Sequence, residues 1–522
     1  MGEITECAGR TKDAGLLCGA TVTLRVGPGA REKRRQAARS PKAGATLDAN
    51  ILLIHWTHFQ SRPEESHARL HSVRDSTLAV CPCRFDSPRP FMKQIGIGLA
   101  GFGTVGAGVF KNLAQNRDLL SQRLGLELAV RRIAVRDPKK TREVKAPAEI
   151  FTARWQDVVD DPQVQIVVEL MGGIEEPRQL IKRAIEAGKT VVTGNKALLA
   201  EHGKELFDLA TARQVPIFFE AAVAGGIPII KAVRESFVGN HIKSIHGIIN
   251  GTTNYILTRM TEAGLDYKDA LAEAQSQGYA EADPTLDVNG WDAAHKAIIL
   301  ASLAYGTWIC PSKVFVEGIE KVTAGDICFG RELGYRIKLL GIIKADTDGR
   351  IEVRVHPTLI PEKHVLASVN GVYNALCVHG DVVGETLFYG RGAGQDPTAS
   401  AVIADLAEAA HALDSKRRDF GFMPHGLYGD CKPLDEILCQ YYLRIPVDDK
   451  PGVLAQVAGV LGSLNIGISS MIQPESDGQS AVLILMLHDA THAQVREAIA
   501  RITALPPVEG EPVLLRVEHF AA

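Results

Sequence analysis

Between residues 92 and 225, short continuous apolar runs alternate with longer segments in which apolar residues recur every three or four positions. Such runs are typical of strands buried on both faces, and the longer segments are typical of the helices that cover them. Predicted strands cover 95–100, 128–135, 166–170, 190–193 and 217–220, and predicted helices cover 105–120, 176–187 and 204–213. This alternation predicts a doubly wound α/β domain with a parallel sheet over residues 92–225.

The pattern becomes mixed over residues 226–415, which predicts an α+β domain. Strands are predicted at 245–249 and 351–357, and helices at about 268–277, 291–303 and 398–413. Residues 416–439 begin with charged side chains and then contain several glycines and prolines, which is typical of a connector.

Residues 440–522 show a third pattern, with alternating strand-like segments and two helical segments. Predicted strands cover 441–447, a segment from 465, 481–488 and 513–519, and predicted helices cover 455–464 and 493–502. The order βαββαβ predicts a separate, small ferredoxin-like unit.

Residues 1–91 differ from the rest of the chain, because they carry a basic cluster at 31–35 and no sustained period of a helix or a strand. The segment is long for a targeting signal, contains acidic residues and lacks an apolar core segment. We therefore expect a disordered or non-native leader, with Met92 as the true start.

Composition narrows the class of protein. A chain of 522 residues that is 46% hydrophobic is expected to form two to four domains with sizeable cores. The net charge of −3 gives no electrostatic footprint for nucleic acid, and no apolar run approaches the length of a membrane span. Nine cysteines without a second close pair beside Cys81 and Cys83 suggest neither a disulfide scaffold nor a zinc site, so a cytoplasmic location is expected.

A glycine fingerprint follows the first predicted strand directly and opens the first predicted helix. It consists of Gly101, Phe102, Gly103, Thr104, Val105 and Gly106. The first glycine permits a tight turn, the second lets a pyrophosphate approach the backbone, and the third lets helix and strand pack closely. Because the helix start also offers free N–H groups, this order predicts a Rossmann-type dinucleotide site, although glycine patterns of this kind also occur as structural turns.

Acidic residues and a lysine are concentrated in residues 277–296, just before an apolar helical run. Lys296 and Asp292 lie one helical turn apart, and Glu281 and Asp287 precede them. A lysine that opens a buried helix needs a partner, and partial burial makes it a candidate proton donor. Asp292 could orient that lysine, while Glu281 and Asp287 could hold an ammonium group. The alternative, a set of surface ion pairs, stays open from the residues alone.

Two basic residues follow strand ends, where ligands bind in open α/β sheets. Lys196 follows the strand at 190–193 and could reach a nicotinamide ribose or a substrate carboxylate; the alternative is a solvent-facing lysine at a helix start. Arg136 stands where NAD-preferring folds usually carry an acid, which favours the 2′-phosphate of NADP. Asp137 follows it immediately and keeps NAD open as the alternative.

Six segments in order make the chain resemble the homoserine dehydrogenase family in its form with a C-terminal ACT domain. They are 101–106, 192–197, 219–228, 247–254, 277–296 and 390–398. The resemblance implies NAD(P)-dependent interconversion of L-aspartate 4-semialdehyde and L-homoserine, in the route to threonine, methionine and isoleucine. It also implies an α+β substrate and dimerisation domain, and a homodimer or homotetramer.

The resemblance further implies roles for individual residues. Lys296 would be the catalytic acid/base, Glu281 would bind homoserine, and Lys196 would lie at the cofactor. Asp292 would help to bind the substrate, as an alternative to orienting Lys296. Thr252 lies in a turn before a helix whose N–H groups and hydroxyls suit substrate or anion binding, although such a turn is also an ordinary capped helix start. Gly394 is expected in a segment that closes over the cofactor. A sodium ion would be held by Glu220, Val223, Gly225 and Ile227. An amino acid effector, expected to be threonine, would bind the ACT domain at Asp449, Gly452, Val453, Leu454 and Asn465.

Two other functions compete with this interpretation. Aspartate-semialdehyde dehydrogenase would need a cysteine nucleophile, but the chain has no cysteine between Cys83 and Cys310. A non-catalytic sensor of NADP and amino acids would keep the nucleotide and ACT units, but would have no use for Asp292 and Lys296. The ACT unit could also be a dimerisation module without a ligand.

Overall fold

The computed structural model describes residues 92–415, 421–474 and 480–520, so the predicted leader at 1–91 and the start of the predicted connector lie outside the described residues. The strands are β1 (Gln94–Ala100), β2 (Glu127–Ala134), β3 (Phe151–Thr152), β4 (Ile166–Glu169), β5 (Thr190–Thr193), β6 (Ile217–Phe218), β7 (Ile242–Ile248), β8 (Phe315–Val316), β9 (Tyr335–Ala345), β10 (Ile351–Pro361), β11 (Tyr373–Gly380), β12 (Gly384–Arg391), β13 (Leu438–Asp448), β14 (Ile468–Ile472), β15 (Ser480–Thr491) and β16 (Val513–Val517).

The helices are α1 (Thr104–Gln115), α2 (Arg117–Leu124), α3 (Gln156–Asp160), α4 (Glu175–Glu186), α5 (Lys196–Arg213), α6 (Ile229–Lys231), α7 (Gly251–Ala263), α8 (Tyr267–Ser276), α9 (Thr285–Val288), α10 (Trp291–Tyr305), α11 (Ala324–Glu332), α12 (Gln395–Ser415), α13 (Val453–Ser463) and α14 (His492–Thr503). Among the helices of the described residues, none combines the length and the apolar character that a membrane crossing requires.

The first sheet confirms the Rossmann-type prediction. Its six strands are parallel and lie in the order β3-β2-β1-β4-β5-β6. Chain order reverses between β1 and β4, which leaves a crevice at the carboxyl ends of the two strands. The glycine fingerprint and Glu169 therefore lie side by side at this crevice, and Lys196 follows the neighbouring strand β5.

Two predicted helices differ from the structure in their bounds. The helix predicted at 105–120 is two helices, α1 and α2, which meet at Asn116. The helix predicted at 204–213 begins earlier, at Lys196, because the Asn195 side chain caps it by accepting a hydrogen bond from the Leu198 N–H at 3.1 Å. This cap places Lys196 in the first turn of α5.

The second sheet has ten strands in the order β12-β11-β7-β9-β10-β16-β13-β15-β14, with β8 paired to β10. Helices α7 and α10 pack against its strands β9 and β10, which gives the expected α+β substrate domain. The C-terminal residues have the predicted βαββαβ order.

The C-terminal unit is joined to the substrate domain through its last strand. Strand β16 pairs in parallel with β10, with Thr358 opposite Arg516 and Leu359 opposite Val517. The C-terminal unit therefore continues the sheet of the substrate domain. The pairing gives hydrogen-bond partners to backbone groups of β10 and β16 that would otherwise lie at exposed strand edges.

Candidate active site

Lys296 and Asp292 lie on the same buried face of α10. The helix begins after Gly290, whose φ of 88° suits a glycine, and its apolar residues fill the core between α5 and the second sheet. The Lys296 Nζ donates to the Asp292 Oδ2 at 2.6 Å and to the Ile249 carbonyl at 2.7 Å. The predicted spacing of one turn therefore produces a buried ion pair, and the alternative of surface ion pairs is wrong for these two residues.

A second lysine reaches the same carboxylate from the nucleotide-binding domain. The Lys196 Nζ, at the start of α5, lies 3.4 Å from the Asp292 Oδ1. Burial alone would raise the pKa of Asp292, but the positive charges of Lys296 and Lys196 outweigh it and lower that pKa to about 2. A carboxylate that is ionised at neutral pH thus lies between two lysines where the two domains meet.

Asn250 joins Asp292 to Asp287. Its Nδ2 donates to the Asp287 Oδ1 at 2.7 Å and to the Asp292 Oδ2 at 2.8 Å, while its Oδ1 caps α7 by accepting from the Thr253 N–H. Burial, followed by the negative charge of Asp292, raises the pKa of Asp287. Asn250 was not among the predicted site residues, although it immediately precedes the Gly-Thr-Thr turn that was.

The remaining predicted substrate residues lie further out. Thr252 lies beside Asp287, and its hydroxyl donates to the Tyr279 carbonyl at 2.7 Å. Glu281 is exposed in the loop before α9, where its backbone carbonyl accepts from the Gln275 side chain. The described hydrogen bonds and ion pairs do not bring the Glu281 carboxylate to Asp292, so its role in binding stays a prediction.

A pocket of about 760 Å³ lies over the carboxyl ends of β1 and β2. Predicted cofactor residues that line it are Gly101, Phe102, Gly103, Thr104 and Arg136. Gly101 has a φ of 104°, and a Cβ there would lie 2.3 Å from the Leu170 carbonyl oxygen. A Cβ on Gly106 would lie 2.3 Å from the Gly101 carbonyl oxygen, whereas Gly103 faces open space. The three glycines thus fit the turn, the close packing and the pyrophosphate approach that a dinucleotide needs.

Other predicted cofactor residues lie outside the lining of this pocket. They are Val105, Gly106, Lys196 and Gly394. Gly394 has a φ of 119° and directly precedes Gln395, which does line the pocket and donates to the Thr104 carbonyl at 3.0 Å. The segment that contains Gly394 therefore reaches the pocket through its neighbour.

The basic side of the pocket is formed by the turn after β2. Arg136, Lys140 and Arg142 all line it. The carboxylate of Asp137 accepts a hydrogen bond from the Lys139 N–H at 2.9 Å, so it stabilises the turn itself. The three cationic side chains suit a phosphate group, while Asp137, which lines the same pocket, suits a ribose hydroxyl.

Glu169 is a buried residue of the crevice that the predictions missed. It ends β4, and its carboxylate accepts from the Thr193 hydroxyl at 2.6 Å and from the Met171 N–H at 2.8 Å. Burial raises its pKa, against these hydrogen bonds. An acidic residue within the apolar run 166–170 was the signal that could have revealed it.

Comparison with known proteins agrees with this geometry. The family model described as homoserine dehydrogenase, NAD binding domain, matches residues 101–220. The homoserine dehydrogenase model matches residues 228–407, and the ACT domain model matches residues 441–507. The homoserine dehydrogenase of Pseudomonas aeruginosa is 46% identical over 82% of this chain and 100% of its own length. The chain belongs to the homoserine dehydrogenase family.

Solved structures of this family have the same fold. The homoserine dehydrogenase from Thiobacillus denitrificans is 45% identical, with a TM-score of 0.77 over 82% of this chain and 99% of its own. A hyperthermophilic archaeal homoserine dehydrogenase in complex with NADPH is 29% identical, with a TM-score of 0.53 over 61% of this chain. The chain is therefore an oxidoreductase of the homoserine dehydrogenase family that uses a nicotinamide cofactor.

The predicted sodium ligands surround a buried carboxylate. The two oxygens of Glu220 accept hydrogen bonds from the N–H groups of Ile230 and Lys231, each at 2.9 Å. Burial raises the pKa of Glu220 to about 7. These two hydrogen bonds at the start of α6 account for the buried carboxylate. Val223, Gly225 and Ile227 follow in the next turn, and their binding of sodium stays a prediction.

The ACT domain has a pocket of about 340 Å³ at the turn between β13 and α13. Four of the predicted effector residues line it: Asp449, Gly452, Val453 and Leu454. Asn465 lies outside the lining, directly after the C-cap Leu464 of α13, and has a φ of 57°. Gln473, which follows β14, and Leu483, on β15, also line the pocket, and the sequence did not reveal them.

Proposed function

We propose that the chain catalyses the reversible, NADP-dependent reduction of L-aspartate 4-semialdehyde to L-homoserine, on the route to threonine, methionine and isoleucine. The observation that carries this proposal is the convergence of Lys196 and Lys296, from two domains, on the two oxygens of Asp292. Such a site offers a proton donor and fixed charges beside a nucleotide crevice, which are the groups that aldehyde reduction needs.

In the proposed reduction, each residue of the site has its own role. A bound nicotinamide supplies the hydride. The Lys296 ammonium donates a proton to the aldehyde oxygen as negative charge develops there, while the Asp292 carboxylate keeps that ammonium in place. Lys196 offers a positive charge to the substrate carboxylate, and Asp287 and Glu281 offer negative charge to its ammonium group. In the reverse direction Lys296, once deprotonated, accepts the proton of the homoserine hydroxyl.

The competing functions lack support in the site. Aspartate-semialdehyde dehydrogenase needs a thiol, and the residues that line the cofactor pocket include no cysteine. A sensor without catalysis has no need for a buried carboxylate between two lysines. Turnover of L-aspartate 4-semialdehyde by the purified chain distinguishes the enzyme from the sensor.

We expect Arg136→Ala to reduce the preference for NADPH over NADH by about 10–100-fold, since one charge-assisted contact contributes about 1.5–3 kcal/mol. KM for each cofactor, measured with L-aspartate 4-semialdehyde, gives the ratio. Arg132→Ala is the matched control, because Arg132 lies on β2, pairs with Asp161 and does not line the pocket. An equal change in both KM values would contradict a contact with the 2′-phosphate.

We further propose that threonine binds the ACT pocket and inhibits the enzyme, with Asp449 partnering the effector's ammonium group. In Asp449→Ala the threonine concentration for half-inhibition should rise at least about tenfold, because a charged hydrogen bond is lost. Asp489→Ala, which removes an exposed acid outside the pocket, is the control. Wild type that threonine neither binds nor inhibits would leave the ACT domain as a dimerisation module.

We also propose a sodium ion at Glu220, a homodimer or homotetramer, and a cytoplasmic location. The sodium proposal rests on the ligand types, since the Glu220 carboxylate and the backbone carbonyls of Val223, Gly225 and Ile227 are oxygen ligands that suit a hard cation.

A further inference from the structure

An arginine of the ACT domain is buried against the substrate domain. The Arg516 Nη1, on β16, donates to the Glu317 Oε2 at 2.9 Å, and its guanidinium lies 4.4 Å from the centre of the Phe315 ring. Only 3% of the Arg516 side chain is exposed. Both partners belong to the short segment around β8, which lies between the ACT domain and the active site.

The segment that Arg516 holds is fixed on its other side to α9, the short helix that carries Asp287. The Glu317 N–H donates to the Val355 carbonyl on β10 at 2.8 Å, and the Ile319 N–H donates to the Val288 carbonyl at 2.9 Å. A Cβ on Gly318 would lie 2.2 Å from that same Val288 oxygen. Segment 317–319 therefore packs against the Val288 backbone without free space.

Val288 is adjacent to Asp287, and the same contact continues to the start of α10. A Cβ on Gly290 would lie 3.2 Å from the Glu317 carbonyl oxygen. Gly290 immediately precedes the helix that carries Asp292 and Lys296. Segment 317–319 therefore contacts both Val288 and Gly290. A displacement of Glu317 would shift Asp287 relative to α10.

We propose that Arg516 is a positioning residue for the substrate site, which acts through Glu317 on segment 285–290, that is, on α9 and the two residues that follow it. The ACT domain thereby holds Asp287 in place for the amino acid substrate, an assignment that rests on the proposed function. Arg516 touches neither substrate nor cofactor. Hydrogen bonds and close contacts connect Arg516, through segment 317–319, to the backbone of Val288 and Gly290.

The matched control is a second arginine between the same two domains. The Arg444 Nε, on β13, donates to the Asp326 Oδ1 at 2.7 Å, and Asp326 caps α11 rather than contacting segment 317–319 or segment 285–290. Arg516→Met removes an interdomain ion pair to Glu317, whose side chain is 31% exposed, and Arg444→Met removes one to the fully buried Asp326. Only the first removes a pair that leads to Asp287.

In the full-length chain, Arg516→Met should raise KM for L-aspartate 4-semialdehyde about tenfold, as the loss of one charged hydrogen bond would. KM for NADPH should stay within about twofold, because the cofactor pocket lies in the other sheet. Arg516→Lys, which keeps the charge, should restore part of the loss. An equal rise in KM for the semialdehyde in Arg444→Met would reduce Arg516 to a general interface residue and overturn the proposal.

Glu317→Gln provides the second test. If Arg516 acts through Glu317, the double variant should raise KM no further than Arg516→Met alone, whereas additive effects would overturn the proposal.

Hydrogen exchange of the amides in 285–292 supplies a readout that does not depend on the substrate: exchange should be faster in Arg516→Met and not in Arg444→Met. If exchange is faster in Arg516→Met but the wild-type chain does not turn over the semialdehyde, the proposed substrate is wrong and the positioning role is kept. If exchange in Arg516→Met equals that of wild type, the positioning role is wrong.

Discussion

Replacing Lys296 by methionine should lower kcat for L-aspartate 4-semialdehyde reduction by about 10²–10⁴-fold, the usual contribution of a positioned proton donor. Methionine keeps much of the apolar stem of the lysine and so fills the same buried space on α10. Asp292 would retain Lys196 at its other oxygen, which limits the cost of leaving a buried carboxylate with one partner fewer. KM for NADPH should change little, because Lys296 does not line the cofactor pocket.

The measurement pairs steady-state kcat with a direct NADPH-binding titration. Lys204→Met serves as the control, since Lys204 is an exposed lysine of α5 that pairs only with Asp208 among the described ion pairs. A methionine variant that binds NADPH and keeps more than about a tenth of wild-type kcat would assign the proton transfer to another group.

Asp292→Asn should lower kcat/KM by at least about 10²-fold, because Lys296 loses a charged hydrogen bond, which contributes about 1.5–3 kcal/mol, and Lys196 loses its ion pair. Without the carboxylate, Lys196 and Lys296 face each other as like charges. Asp287→Asn is the matched substitution: it leaves Lys296 paired, so it should raise KM for the semialdehyde more than it lowers kcat. If the two variants behave alike, Asp292 has no special role in holding the lysines.

The lowered pKa of Asp292 should also make the free energy of unfolding depend on pH. Its pKa of about 2 in the folded chain lies below the ordinary value of 3.8, so ionised Asp292 contributes about 2 kcal/mol above pH 4. That contribution is lost as the pH falls towards 2. The difference in free energy of unfolding between wild type and Asp292→Asn should therefore shrink over that range in denaturant titrations.

The Rossmann-type sheet and the contact between Asp292 and Lys296 could be predicted because each depends on local pattern. A strand, three glycines and a helix are contiguous in sequence, and Asp292 and Lys296 are one helical turn apart. The start of α5 could also have been predicted, since an asparagine followed by helix-forming residues is a signal for an N-cap. Asn195 is that cap, and it puts Lys196 in the first turn of the helix.

Residues joined by long-range contacts were not accessible in this way. Asn250 and Asp292 are 42 positions apart, and Arg516 and Glu317 are 199 apart. Periodicity shows which face of a strand is apolar, but it does not show which edge of a sheet will be paired. The pairing of β10 with β16, and with it the connection of the ACT domain to the active site, therefore appears only in the structure.

The most direct test of the central claim is to follow NADPH consumption by the wild-type chain with L-aspartate 4-semialdehyde and to identify the product. We predict that one L-homoserine appears for each NADPH consumed, and that L-homoserine with NADP drives the reverse reaction. A chain that binds NADPH but forms no L-homoserine would contradict the account and support a sensor instead.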